Sequence, residues 1–129
     1  MTTPYTLKNL GEVEDSAPKF GFGDLGEARF AAGELDAERT GVCLQRLNPG
    51  KRHAFGHRHD EAEEVYVVLS GSGRMKLDDE IVDVSRLDAI RVSPTVMRAF
   101  EAGPDGLEIL VAGAQHEGDG ELVPGWWSD

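Results

Sequence analysis

Two imidazoles and a carboxylate stand within eight residues of one another in the segment GHRHDEAEEVYVVLSGSG, residues 56–73. His57 and His59 are two apart, and Glu63 and Glu64 follow. Side chains two apart on a strand point to the same face, so both histidines can enter one cavity. A turn at Asp60–Glu63 brings the following strand back antiparallel and lets a glutamate approach from beside them. Two neutral imidazoles and one carboxylate suit a divalent first-row metal, and the carboxylate offsets part of the ion's charge in a low-dielectric interior. Alternation alone leaves the choice of glutamate open. Glu63 shares a face with Val65, Val67 and Leu69, and Glu64 shares one with Tyr66 and Val68. A polar cavity favours the Glu64–Tyr66 face.

The elements that must position these residues read as short strands. EVYVVLSG, residues 64–71, is β-branched, aromatic and nearly all apolar, which predicts a strand buried on both faces. EARFAA, VCLQRL (stopped by Asn48-Pro49-Gly50), AFGHRH and DAIRV read as further strands. GRMKL, DDE and IVDV make a hairpin, and MRAFEA and LEILVAG flank GPDG as a second hairpin turn. The first twenty or so residues are irregular, and the end QHEGDGELVPGWWSD is loop-like. About eight short strands without an amphipathic helix predict an all-β barrel or sandwich, whose interior holds side chains or one small ligand.

With these residues in place, the segment resembles the first motif of the cupin superfamily: a glycine, HxH, three or four residues, Glu, six residues, Gly. Here His59 is followed by four residues, Glu64, six residues and Gly71, and Gly50 supplies the leading glycine with one residue more than the usual spacing. The resemblance selects Glu64. It implies a single cupin-type jelly-roll β-barrel over roughly residues 27–114, after an irregular N-terminal segment (1–26) and before a C-terminal tail (115–129), and a homodimer as is common in the family.

The second cupin motif is matched by RLDAIRVSPTVMRAFEAG. Asp88 and Pro94 keep its pattern, but Leu87 replaces the glycine, and Arg98 stands where the family places its last metal histidine. Three ligands remain, His57, His59 and Glu64. In one reading they hold Fe, Mn, Ni or Zn as a face with open positions, and Arg98 binds the carboxylate or phosphate of a substrate. That is a metal-dependent oxygenase or isomerase, with Arg98 and Tyr66 as its other working residues. In the other reading no metal is bound, and Arg98 pairs with Glu64 as a buried ion pair in a metal-free sensing or structural module. The reading adopted here spans both: the barrel binds a small, anionic molecule at His57, His59, Glu64, Tyr66 and Arg98, with or without a divalent metal.

Several other residues have simpler roles to hand. His53 could share the histidine face but reads as a loop residue outside the barrel. Of Gln45 and Arg46, one faces inward. Arg91 reads as outward, with the cavity beside Arg98 as its alternative, and Phe100 as pocket wall. His116 reads as solvated, Asp78, Asp79 and Glu80 as a solvated turn, and Cys43 as a buried, inert thiol. Trp126 and Trp127 read as packing the tail onto the barrel, with a dimer interface as the alternative. The net charge of −11, from 13 basic and 24 acidic residues, excludes non-specific binding to nucleic acid or anionic membranes. The N-terminus lacks the pattern of a signal peptide, a lone cysteine cannot form an intrachain disulfide, and no apolar run is long enough to span a bilayer. A cytoplasmic protein is expected.

Overall fold

The computed structural model describes residues 4–114 and 118–128; His116 lies outside the described residues. Eight antiparallel strands form one curled sheet: β1 (Gly26–Phe30), β2 (Thr40–Leu47), β3 (Phe55–Arg58), β4 (Glu64–Leu77), β5 (Glu80–Ser85), β6 (Ala89–Val92), β7 (Arg98–Ala114) and β8 (Glu121–Pro124). Among the described residues before β1 there are two 3-10 turns, Leu10–Glu12 and Pro18–Phe20. The described residues form one all-β jelly-roll domain. Among the described residues no helix is long and apolar enough to cross a membrane.

The long strands β4 and β7 form the spine. Glu64–Gly71 pairs with Leu107–Gly113, and Gly73–Leu77 pairs with Arg98–Ala102. β2 joins the far side of β7, β6 pairs with the first half of β4, and β5 pairs with its second half. Period-2 alternation sends Tyr66, Val68, Phe100, Ile109 and Val111 into the core beside Cys43, Leu47, Met75 and Leu107. Two residues of the outer β4 face give a different picture from the sequence reading. Val65 is 36% exposed and Val67 is half-buried, while Tyr66 and Val68 are sealed, so only one face of this strand is fully buried.

The predicted second hairpin is not formed. Both flanks of Gly103–Gly106 pair with the same strand in the same sense, with four residues of β7 opposite the single Ser72 of β4. The chain therefore bulges outward at GPDG and does not reverse. Gly71 and Gly106 make this possible, at φ of 79° and 80°. A Cβ on Gly71 would meet the Gly106 carbonyl oxygen at 2.1 Å. Likewise EVYVVLSG and GRMKL are one continuous strand. The hairpin at Asp78-Asp79 is present, with Leu77 opposite Glu80.

The segment read as a loop-like tail contributes β8, which pairs with β3 from Phe55↔Pro124 to Arg58↔Glu121. Its tryptophans pack onto the barrel. Trp127 is 5% exposed, with the guanidinium carbons of Arg52 and Arg74 at 4.6 and 5.4 Å from its ring centre. Those two arginines share the carboxylate of Glu101. Lys76 Nζ lies 4.5 Å from the Trp126 ring centre.

Candidate metal centre

The site forms where β3, the start of β4 and the start of β7 meet. His57 lies opposite Arg98 across the β3–β7 pairing. His59 follows the end of β3, and its backbone N–H donates to the Pro94 carbonyl at 2.8 Å, which ties it to the turn before β7. Glu64 opens β4, and Tyr66 stands two residues on, on the same face.

One oxygen gathers them all. Glu64 Oε1 accepts a hydrogen bond from the Tyr66 hydroxyl at 2.6 Å, and lies 3.3 Å from His57 Nε2, 3.2 Å from His59 Nε2 and 3.5 Å from Arg98 Nη1. One ligand atom from each of His57, His59 and Glu64 lies within 4.8 Å of the others. Ligands of an ion with bonds of about 2.0–2.2 Å sit roughly 3 Å apart, so these spacings match neighbouring ligands. The two imidazole rings stand edge to face at 5.2 Å. The side chains of His57 and His59 are 21% exposed and that of Glu64 is 17% exposed, which leaves the site open on one side.

The hydrogen-bond roles test whether a cation fits. His59 Nδ1 lies 2.8 Å from the Asp119 carbonyl oxygen, which can only accept. Nδ1 is therefore assigned the hydrogen, and in the neutral ring Nε2 keeps its lone pair. That Nε2 is buried and has no hydrogen-bond partner among the described residues, although Glu64 Oε1 lies close to it. A lone pair facing a carboxylate oxygen is satisfied by a cation between them. The donor set fits a divalent metal.

The electrostatics keep the carboxylate ionised. Burial works against the Glu64 charge, but with the metal-free imidazoles protonated, hydrogen bonds with His57 and Tyr66 and the charges of His57 and His59 outweigh it and hold its pKa at about 2. Burial, then the Glu64 charge, pushes the Tyr66 hydroxyl well above its ordinary value, so it stays a donor. Arg98 is 1% exposed. Its Nη2 donates to the Ser93 carbonyl at 2.9 Å, closer than its Nη1 approaches Glu64, so the backbone before β7 draws the guanidinium back from the carboxylate. Its Nε is buried without a partner among the described residues.

Of the residues weighed from sequence, His57, His59, Glu64, Tyr66 and Arg98 converge, and Phe100 packs against the Tyr66 ring at 5.3 Å as the wall. Glu63 and Arg91 do not join them: they pair with each other at 3.2 Å on the exposed surface. His53 is not a ligand. Its N–H donates to the Phe100 carbonyl at 3.0 Å and its Nδ1 accepts from the Phe100 N–H at 3.2 Å, so it clips the chain to β7. Burial, then the charge of His57, lowers its pKa to about 4. Burial raises the Cys43 thiol to about 11, in keeping with an inert side chain. Gln45 faces inward near Cys43, and Arg46 faces outward to Glu27. Sequence reasoning missed Asp119 and the Ser93 carbonyl. The glycines on both sides of Asp119 were the one readable signal for the first, and a backbone carbonyl leaves none.

Comparison with known proteins agrees with this architecture. A family model described as "Cupin domain" matches residues 43–112, more than half of the chain. The fold is similar to that of a cupin protein from Bacteroides fragilis, with a TM-score of 0.72, 20% identity, and coverage of 91% of this chain and 89% of that one. It is similar to a sugar phosphate isomerase of the cupin superfamily from Silicibacter pomeroyi, with a TM-score of 0.63, 18% identity and coverage of 78% and 77%. It is also similar to oxalate decarboxylase from Bacillus subtilis, an enzyme with Mn(II) centres, with a TM-score of 0.63 and 23% identity. That match covers 77% of this chain and 28% of the decarboxylase. No curated protein matches the sequence.

Proposed function

The chain belongs to the cupin domain family, and from that premise we propose that it binds one divalent first-row metal and a small anionic molecule together in its barrel. His57 and His59 supply imidazole nitrogens, and Glu64 supplies the single anionic ligand. The observation that carries this reading is the buried Nε2 of His59, which faces Glu64 Oε1 at 3.2 Å without a hydrogen bond between them. The metal, when bound, supplies Lewis acidity that polarises an oxygen of the bound molecule.

The chain's own residues set the preference for an anion. With neutral imidazoles the charges of Glu64 and Arg98 cancel, so the ion's double charge is left uncompensated. A carboxylate or phosphate of the ligand offsets it. Arg98 adds a second attraction, because its Nε has no partner among the described residues. Two proteins of similar fold are named for small oxyanions, a sugar phosphate and oxalate, in keeping with this ligand class. Tyr66 acts on Glu64 rather than on the ligand, because its hydroxyl donates to Oε1.

The test is metal analysis of the purified protein. About one Fe, Mn, Ni or Zn per chain is expected, and His57→Ala should abolish it. A protein that purifies without metal and takes up none when it is added overturns the reading. That result would favour the metal-free alternative, for which the Arg98–Glu64 approach at 3.5 Å speaks.

A further inference from the structure

We infer that Asp119, in the segment after β7, is a positioning residue of the metal centre: it fixes the tautomer and direction of His59 and anchors the turn that leads to Glu64. The inference rests on the metal-binding reading. It deepens that reading by extending the centre into the C-terminal segment.

Asp119 acts through two groups. Its backbone carbonyl accepts the His59 Nδ1 hydrogen at 2.8 Å. Its carboxylate caps the turn between His59 and Glu64: Oδ1 accepts from the backbone N–H groups of Asp60 and Glu61, and Oδ2 accepts from that of Ala62 at 2.9 Å. Its side chain is 4% exposed. One residue therefore ties together the supports of two candidate ligands. A metal-binding imidazole whose other nitrogen donates to a fixed acceptor keeps both its tautomer and its ring direction, and loss of such support typically costs about 10–100-fold in metal affinity.

The local sequence builds this contact. Asp119 stands between Gly118 and Gly120, whose φ values are 67° and 128°. A Cβ on Gly120 would meet the Arg58 carbonyl oxygen at 2.1 Å and the His59 Cα at 3.1 Å. The glycine lets the backbone run directly against the histidine, and β8 then starts at Glu121 opposite Arg58. The carboxylate holds the carbonyl in place, so Asp119→Ala should free both.

Two measurements test this. In metal-free protein, long-range 1H–15N spectra of the imidazoles read which His59 nitrogen carries the hydrogen. In parallel, Co(II) is titrated and its visible absorption followed. The wild type should show His59 protonated at Nδ1. Asp119→Ala and Asp119→Asn should show a mixture of tautomers, a Co(II) affinity lower by about 10–100-fold and an altered Co(II) spectrum. Asp119→Asn is the milder variant, because it keeps one acceptor oxygen and covers the case in which the alanine variant fails to fold. Variants with the wild-type tautomer and affinity overturn the inference. So does a wild-type His59 protonated only at Nε2, whatever the variants do. If the wild type binds no Co(II), the metal-binding reading falls separately, and the tautomer measurement still decides the role of Asp119.

Discussion

His53 shows how a single side chain couples this fold to pH. Its Nδ1 accepts the Phe100 N–H, so a proton there would break the bond and leave a charge in a buried place. Unfolded, the ring takes up a proton below about pH 6.5; folded, it resists down to about 4. In that window the unfolded chain holds more protons, so stability falls as the pH drops through it, by roughly 1–3 kcal/mol in all. Glu64 adds a second loss at lower pH, as acid approaches its folded pKa of about 2. Asn at position 53 presents an acceptor oxygen that does not titrate. His53→Asn should therefore flatten the melting temperature between pH 6.5 and 4 while leaving the steeper loss below that, as read by thermal melts across pH. Equal slopes in both proteins would remove His53 from the account. Arg98 allows a complementary substitution. Arg98→His removes a cation 3.5 Å from Glu64 and restores the histidine of the family pattern. Breaking a buried ion pair typically costs about 3–5 kcal/mol, so the variant should melt well below the wild type without metal. Added Zn should recover much of that loss, because a ligand that binds only the folded state stabilises it. A variant whose melting temperature ignores Zn would overturn the metal-binding reading, because it keeps His57, His59 and Glu64.

At the scale of elements, the turn between β5 and β6 carries a local conflict. Leu87 sits where the family pattern has glycine, and its φ is 72°, a left-handed conformation that costs a branched side chain energy. It is 65% exposed, so little burial would be lost with the side chain. Leu87→Gly should stabilise the protein by roughly 0.5–1 kcal/mol, as measured by chemical denaturation, despite the extra freedom glycine gives the unfolded chain. No gain, or a loss, would mean that Leu87 packs in a way its exposure hides. The same turn shows what the sequence made legible. Leu87 and Asp88 were placed by motif spacing, and the Asp88 carboxylate does accept the Ser85 N–H at 2.8 Å. Strands rich in β-branched and other apolar residues were readable too, from Glu64 through Gly71 and from Val42 through Leu47, although the run of apolar residues in the first hid which of its faces is buried. Gly-rich stretches misled, because glycine serves both turns and bulges. GPDG has the residues of a tight turn, but only the pairing of both its flanks with β4 distinguishes a bulge from a reversal. β8 escaped notice because ELVP is only four residues long, lies in a glycine-rich segment and ends in proline, so the β3 edge beside it supplies the signal that its own residues lack.

Across the whole molecule, the same net charge of −11 that argues against nucleic acid also acts on whatever enters the barrel. The convergence of His57, His59, Glu64 and Arg98 was legible because a motif fixes their spacing. The support from Asp119 was not, because it joins residues sixty apart through a backbone carbonyl. The long-range field was legible in sign from composition alone. An excess of acidic groups raises the local concentration of cations and lowers that of anions, and salt removes both effects over a Debye length of about 10 Å at 0.1 M. The two proposed ligands carry opposite charge, so their salt dependences should differ in sign. Raising NaCl from about 0.02 to 0.5 M should slow Co(II) association by roughly 3–10-fold, as read by stopped-flow absorption. Inorganic phosphate added to the Co(II)-loaded protein should associate as fast or faster at the higher salt, because the repulsion it meets outside the barrel is screened, whereas the attraction of the metal and Arg98 acts at contact. If phosphate association slowed in parallel with that of Co(II), a local basic patch would govern entry.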